Sequence, residues 1–225
     1  MAFAGCCSCC LTLSPNKVNI ISLQKRTRQA LRALEMKRIR FRINYDRCIQ
    51  GMQYIACNMP GITQYYTGKV FYFADRDHLI DWGRPISGDR YVAMDHGPVP
   101  SIIYNMITKA SEQPDEISDA MAARLRMVRE GNKIRLYSTV RSPDLPALAD
   151  SDREYLYDSL SKYGNMSFGA LRELSHQDEA YANAWNKSDG RNNEMNPMEW
   201  FTEHDDPDAV YAGLSESSVV DRHFR

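Results

Sequence analysis

The chain has 225 residues, a formal net charge of -1, and 43% hydrophobic and 25% charged residues, which is the composition of an ordinary globular domain. No run approaches the roughly 18 consecutive apolar residues of a transmembrane helix, so a membrane protein is not expected and a cytoplasmic one is. Four of the six cysteines lie between Cys6 and Cys10, without the spacing of a disulfide framework or a zinc site, and no cofactor is predicted.

The charges are unevenly distributed along the chain. Residues 1–44 carry nine Lys or Arg and one Glu, whereas residues 144–225 carry seventeen acids and seven bases. The basic stretch 17–42 could bind nucleic acid or an acidic protein, although a solvated basic helix is the commoner outcome. Nucleic-acid binding is not expected from the rest of the chain.

Composition also suggests the domain organisation. Residues 1–40 form a basic, Cys-containing extension that is either disordered or spurious, residues 41–187 form the domain, and residues 188–225 form an acidic polar tail. The tail is expected to be largely disordered. Its apolar cluster at Met198, Trp200 and Phe201 either docks on the domain or serves as a recognition segment.

Two amphipathic helices are predicted at the start of the domain, over 44–59 and 63–82, the second ending at Gly83. Asp77 falls within the apolar stripe of the second helix. Since a buried carboxylate needs partners, Asp77 is expected to act as a structural clamp held by Arg84, Arg90 or backbone amides.

The sequence YVAMDHGPVPS follows, at residues 91–101. Alternation over 90–94 predicts a short strand, and Pro100 suits the first position of a helix. The residues between them, 95–100, are therefore predicted to be a loop that joins strand to helix. Gly97 permits an unusual backbone conformation and the two prolines restrict it, so the loop should be stiff.

The rest of the domain is predicted to be mostly helical. A helix is expected over 115–131, a strand over 133–140, and a helix opened by a capping box of Ser151 and Glu154. Ser167 caps a further helix. The fold class is thus mainly α (α+β), a compact helical domain with a small β-element of short strands near 90–94 and 133–140.

No motif for catalysis emerges from the sequence. A metal-dependent hydrolase built on Asp75, His78 and His96 is a competing interpretation, but acid and histidine pairs at this helical spacing, as also at Glu173 and His176, are common by chance. Nucleophile elbows and phosphate loops are absent from the sequence. The chain is therefore not expected to be an enzyme, and no catalytic or metal-binding residue is assigned.

Several motifs resemble those of the Panacea domain, the SocA-like antitoxin family of phage and bacterial toxin–antitoxin operons. They are the aromatic-Ala-Asp-Arg-x-His segment from Tyr72 to His78, the Gly-Arg-Pro-Ile turn, the Asp-x-Tyr strand entry at Asp89, and the Gly-Pro-Val-Pro segment. A closing segment with Ser-His followed by a Trp is also similar. The resemblance covers about residues 45–185.

This resemblance implies an antitoxin that binds a cognate toxin protein, encoded by the adjacent gene, and neutralises it by direct binding and occlusion. It implies no shared catalytic residues. A proteolytic adaptor that delivers the toxin to a protease is an alternative, and homo-oligomerisation stays open.

The expected contact patch surrounds the end of the 63–82 helix and the 95–100 loop. Its candidate residues are Tyr72, Asp75, His78, Trp82, Tyr91, Asp95, His96, Gly97, Pro98 and Val99. The residues expected to have structural roles are Asp77, Arg84, Arg90, Ser151 and Glu154.

Overall fold

The computed structural model describes residues 38–186 and 193–223, with side chains described up to Val219. From Arg38 onward the described residues form one compact unit. The predictions for the Cys-containing extension concern residues that lie, up to position 37, outside the described part of the chain. Within the described ranges, no helix combines the length and hydrophobicity needed to cross a bilayer.

Helices make up most of the described structure. They are α1 (Tyr45–Asn58), α2 (Gln64–Trp82), α3 (Ser101–Thr108), α4 (Asp115–Arg124), α5 (Asp150–Tyr163), α6 (Phe168–His176), α7 (Glu179–Asn186) and α8 (Pro207–His223). Short 3-10 helices span Ala110–Glu112 and Pro197–Phe201.

Two small antiparallel sheets accompany the helices. The strands are β1 (Ile62–Thr63), β2 (Tyr91–Met94), β3 (Gly97–Pro100), β4 (Leu125–Glu130), β5 (Lys133–Ser138) and β6 (Asn193–Glu194). One sheet has the order β1-β5-β4 and the other β3-β2-β6. The predicted fold class, mainly α (α+β), is confirmed.

Helix α2 lies at the centre of the domain, so residues on most of its circumference are buried. Phe71 and Val70 join one apolar cluster with residues of α1, α5 and β5, whereas Tyr72 and Phe73 join a second with residues of β2 and α7. Its C-terminus is closed by Gly83, whose φ of 68° is the left-handed conformation that glycine adopts readily. A helix buried on most sides lacks a single apolar stripe.

The predicted helix over 115–131 is wrong in its second half. Helix α4 ends at Arg124, and β4 pairs antiparallel with β5 across a turn in which Gly131 has a φ of 59°. The apolar side chains of Leu125 and Met127 lie two residues apart and pack on the core, which suits a strand with one covered face. Long-range pairing therefore overrides the local helical pattern.

The prediction of a largely disordered tail is also wrong for the described residues beyond 192. Strand β6 pairs with β2 through Val92 and Glu194, and Met195, Met198 and Phe201 are buried. The apolar cluster thus docks on the domain, and helix α8 follows it. Burial of these few large side chains is enough to order a segment of polar composition.

The docked tail makes a stability prediction possible. Met198 is fully buried, so Met198→Ala should lower the free energy of unfolding by about 2–5 kcal/mol in urea denaturation. Val140→Ala, at a site that is 50% exposed, is the control and should change it by less than about 0.5 kcal/mol. Equal effects of the two substitutions would contradict docking of the tail.

Candidate partner-binding surface

The carboxylate of Asp75 fixes the connector between α2 and β2. It is buried on α2 and accepts hydrogen bonds from the backbone amides of Ile86 (2.8 Å) and Ser87 (2.9 Å), from the Ser87 hydroxyl, and from the Tyr91 hydroxyl (2.7 Å). Burial raises the pKa of Asp75, and these donors oppose that shift. The carboxylate replaces the water that the buried connector amides would otherwise bind.

A second carboxylate, that of Asp89, caps helix α3. It accepts from the backbone amides of Ile102 (3.0 Å) and Ile103 (2.8 Å), two of the amides left free at a helix N-terminus. Pro100 precedes the helix and has no side-chain acceptor to serve as a cap, so a distant residue supplies it. Burial raises the pKa of Asp89 to about 6.

His78 belongs to a buried polar cluster that connects α2 to α5. Its Nδ1 lies 2.8 Å from the Arg84 carbonyl oxygen and its Nε2 3.1 Å from the Ser151 hydroxyl. A carbonyl only accepts, so Nδ1 carries the proton. Burial lowers the pKa of His78, and the Arg84 carbonyl and Asp152, whose Oδ1 lies 3.3 Å from Nε2, oppose that shift. Arg84 donates to Asp152 at 2.8 Å.

Several predicted structural residues have other partners than expected. Asp77 is bound by the neighbouring Arg76 at 2.8 Å, not by Arg84 or Arg90, and its side chain is 42% exposed. The buried carboxylate of α2 is thus Asp75. Burial on most faces of this helix explains the error, since apolar spacing could not select one face.

The predicted capping box of α5 is also wrong. The helix begins at Asp150, and the Asp152 carboxylate accepts from the backbone amide of Ala149 at 2.9 Å. Ser151 turns to His78 instead, and Glu154 takes no part in the cap. The predicted cap was placed two residues too late, because Asp152 and Glu154 each follow a possible cap position by three residues.

Residues 95–100 are not a loop but the turn and second strand of a hairpin. Strand β2 pairs with β3 in the register Met94 to Gly97, leaving Asp95 and His96 as a two-residue turn, and α3 begins one residue after Pro100. Gly97 has a φ of 92°. A Cβ there would collide with the Lys69 Nζ and the Ser175 Oγ, so the position requires glycine for space as well as conformation.

Side chains from three helices hold the carbonyl groups of this hairpin. Lys69 Nζ of α2 donates to the Pro98 carbonyl (3.2 Å), Arg172 Nε of α6 to the Asp95 carbonyl (3.1 Å), and the Tyr181 hydroxyl of α7 to the Met94 carbonyl (3.0 Å). These tertiary hydrogen bonds, together with the two prolines, give a physical reason for the predicted stiffness of residues 95–100.

Lys69 is the most unusual of these donors because it is 1% exposed and has no carboxylate partner among the described residues. Its Nζ also donates to the Ser175 Oγ at 3.0 Å and lies 5.5 Å from the centre of the Tyr65 ring. Burial, and then the charge of Arg172, lower the pKa of Lys69 to about 7.

Around the turn is a mixed aromatic and basic surface, here named the hairpin-tip surface. It consists of Tyr65, Asp95, His96, Phe168 and Arg172. Phe168 is 46% exposed, and its ring lies 5.2 Å from that of His96 and 4.8 Å from that of Tyr65. Exposed aromatic rings beside an arginine are characteristic of protein contact sites.

The structure divides the predicted contact residues into three groups. Asp95 and His96 are exposed at the turn, with Val99 partly exposed on β3. The buried members, which cannot reach a partner in this conformation, are Tyr72, Asp75, His78, Tyr91, Gly97 and Pro98.

Trp82 is 60% exposed but belongs to a different part of the molecule. It ends α2, whereas Lys69 contacts the hairpin about 20 Å earlier along the same helix. Trp82 and the turn therefore do not form one patch.

The sequence reasoning missed Tyr65, Lys69, Phe168 and Arg172. One signal was present: Lys69 is a charged residue within the long, mostly apolar run from Thr67 to Asp75, all of which is buried. A lysine within such a run predicts either a buried amine or a functional group. The contact of Phe168 with the hairpin has no local signal.

A metal centre is not formed by the suggested residues. Asp75 and His78 are occupied by backbone and side-chain partners, and His96 lies on the hairpin turn against Phe168. Among residues 38–186 and 193–223, no three His, Cys, Asp or Glu side chains are grouped to hold a metal ion.

These features define a mainly helical α+β domain with a stiff hairpin and an exposed aromatic and basic surface at its turn. A family model for the SocA-like antitoxin, Panacea domain, matches residues 68–182, and the chain belongs to this family. A search of curated proteins and a search of solved structures each found no match.

The role of Asp75 can be tested against that expected for Asp77. Asp75→Ala would leave the Ile86 and Ser87 amides and the Tyr91 hydroxyl without their acceptor and should lower the free energy of unfolding by about 3 kcal/mol or more. Asp77→Ala should lower it by less than about 1 kcal/mol, because its ion pair is half exposed. Thermal and urea denaturation measure both, and the reverse order would restore Asp77 as the clamp.

Lys69 should make stability depend on pH. Its folded pKa of about 7 lies below the ordinary 10.5, so above pH 7 the unfolded chain holds a proton that the folded protein has released. Stability should therefore rise with pH from 7 towards 10, by up to about 1.4 kcal/mol per pH unit. Below pH 7 Lys69 is charged in the folded protein, and burial of this charge then lowers the free energy of unfolding by its full amount.

Comparison with Lys69→Met isolates this effect. Relative to wild type, the substitution should raise the free energy of unfolding most below pH 7. This difference should shrink as the pH rises to about 9. Lys133→Met, at an exposed position of β5, controls for the loss of one charge. If the difference in the free energy of unfolding between wild type and Lys69→Met does not change with pH, Lys69 is not a buried amine with a lowered pKa.

Proposed function

We propose that this protein is an antitoxin that neutralises a cognate protein toxin by direct binding, with the hairpin-tip surface covering the toxin's working site. Membership of the antitoxin family carries the proposal. The matched residues include the hairpin, Phe168 and Arg172. We expect this protein to be cytoplasmic and its cognate toxin to be encoded by the adjacent gene.

The rigidity of the hairpin supports its use as a binding element. Three carbonyl groups around the turn are held by side chains of α2, α6 and α7, and two of the four residues of β3 are prolines. A surface that is ordered before binding loses little conformational entropy on association. Exposed Phe168 and His96 can then serve as anchors at low cost.

The contacts of Asp75 and His78 support a non-enzymatic role. The carboxylate of Asp75 and the ring of His78 are both occupied by structural hydrogen bonds, so they are not free to activate a water or hold a metal ion. His96, the third member of the suggested hydrolase site, lies apart from them on the hairpin turn. The proposed chemistry is therefore recognition alone.

Co-expression with the product of the adjacent gene tests this proposal. Wild type should restore growth, whereas the double substitution His96→Ala and Phe168→Ala should lose rescue while keeping its thermal unfolding temperature within a few degrees. Tyr157→Ala is the matched control, since Tyr157 of α5 is 51% exposed and lies outside the hairpin-tip surface. Trp82→Ala tests the other end of α2.

Full rescue by the double variant would refute the hairpin-tip surface, and loss of rescue only in Trp82→Ala would move the contact to the other end of α2. Following the half-life of the toxin separates occlusion from delivery to a protease. Under occlusion the toxin persists in an inactive complex, whereas a shortened half-life would favour an adaptor.

A further inference from the structure

Four polar side chains meet beneath the hairpin turn in a repeating helical arrangement. Tyr65 and Lys69 are four residues apart on α2, and Arg172 and His176 are four residues apart on α6. Side chains at this spacing share one helix face. The faces meet where Lys69 Nζ donates to Ser175, the neighbour of His176.

The charges around Lys69 are predominantly positive. Arg172 and His176 face it from α6, and burial, followed by the charges of Arg172 and Lys69, lowers the pKa of His176. The nearby acids, Asp95 and Glu173, are exposed at the surface. Tyr181 of α7 completes the surroundings by stacking on His176 at 4.5 Å.

The basic groups of this cluster hydrogen-bond only to neutral acceptors. Lys69 binds a carbonyl and a hydroxyl, and Arg172 binds the Asp95 carbonyl. Neither forms an ion pair with any residue in the described ranges. An arginine and a buried lysine without a carboxylate between them constitute an unbalanced positive site.

Two polar atoms of the cluster have no hydrogen-bond partner in the described part of the chain. They are the Tyr65 hydroxyl and the His176 Nε2, and both are buried. Such atoms cost free energy unless a partner or a ligand satisfies them. Burial raises the pKa of Tyr65 to about 12, so its hydroxyl stays a donor at neutral pH.

We propose that Tyr65, Lys69, Arg172 and His176 form a carboxylate-binding subsite that receives an acidic side chain of the toxin, an inference that rests on the proposed function. A carboxylate offers two acceptor oxygens and a negative charge, which match a set of donors with excess positive charge. The Phe168 ring packs against Tyr65 of the cluster and against His96 of the turn. Rotation of these side chains would admit the carboxylate, a change of the size common at interfaces.

The subsite can be tested without the toxin by using acetate as the probe. Side-chain NMR of the full chain at pH 6.5 should show saturable acetate-induced shifts at Lys69, Tyr65 and His176 that chloride at equal ionic strength does not produce. Arg172→Gln and Lys69→Met should each weaken acetate binding by about tenfold or more. Arg126→Leu is the control, because Arg126 lies on β4, over the ring of Tyr137 of β5.

Raising the pH should also weaken acetate binding, because Lys69 must be protonated to pair with an anion. Affinity should fall between pH 6.5 and 8.5 in the wild type and change less in Lys69→Met. Shifts that chloride reproduces, or that survive both substitutions, would overturn the subsite.

The two proposals fail in different ways. Absence of acetate binding together with loss of rescue in the His96 and Phe168 variant would overturn the subsite and leave the antitoxin role standing. Acetate binding together with full rescue by Arg172→Gln would overturn the assignment of the subsite to the toxin. Two results together would support both proposals. Arg172→Gln should lose rescue, and a toxin variant with lysine in place of the bound acid should be neutralised by Arg172→Glu but not by Arg172→Gln.

Discussion

The structure depends on one constraint, which is that the backbone donors of a buried, irregular connector must find acceptors. Residues 84–90 leave α2 without forming regular structure, yet Ile86 and Ser87 are fully buried. Asp75 supplies the acceptor for their amides and Asp89 caps the helix that follows the hairpin. Because these carboxylates position both ends of the hairpin, the family motif around them has a structural role in folding.

The hairpin adds the opposite problem, since its turn leaves carbonyl groups without strand partners. Lys69, Arg172 and Tyr181 reach them from three helices. The amides of the connector are thus bound by carboxylate acceptors, whereas the carbonyl groups of the turn are bound by side-chain donors. This division concentrates positive charge beneath the turn. Under the proposed function, stability and recognition would draw on the same side chains, and Lys69 would serve both roles.

Sequence patterns gave most of the helices correctly because their apolar periodicity and end signals are local. The bounds of α1 and α2, the Gly83 terminus and the Ser167 cap agree with the structure to within a residue or two. Strand β4 and the docked tail were missed because each is ordered by partners distant in sequence. Family motifs pointed to the hairpin but did not reveal which of their residues are exposed.

The sequence by itself determined the mainly helical class, the positions of most helices and the family, because periodicity, capping residues and motifs are properties of neighbouring residues. Tertiary structure decided which acid of α2 is buried, that residues 97–100 form a strand, and which side chains surround the turn. Burial depends on what packs against each face of α2, and that information lies in α5, α6 and the tail. Hence Lys69 and Phe168 acquire their roles only when segments about a hundred residues apart come together.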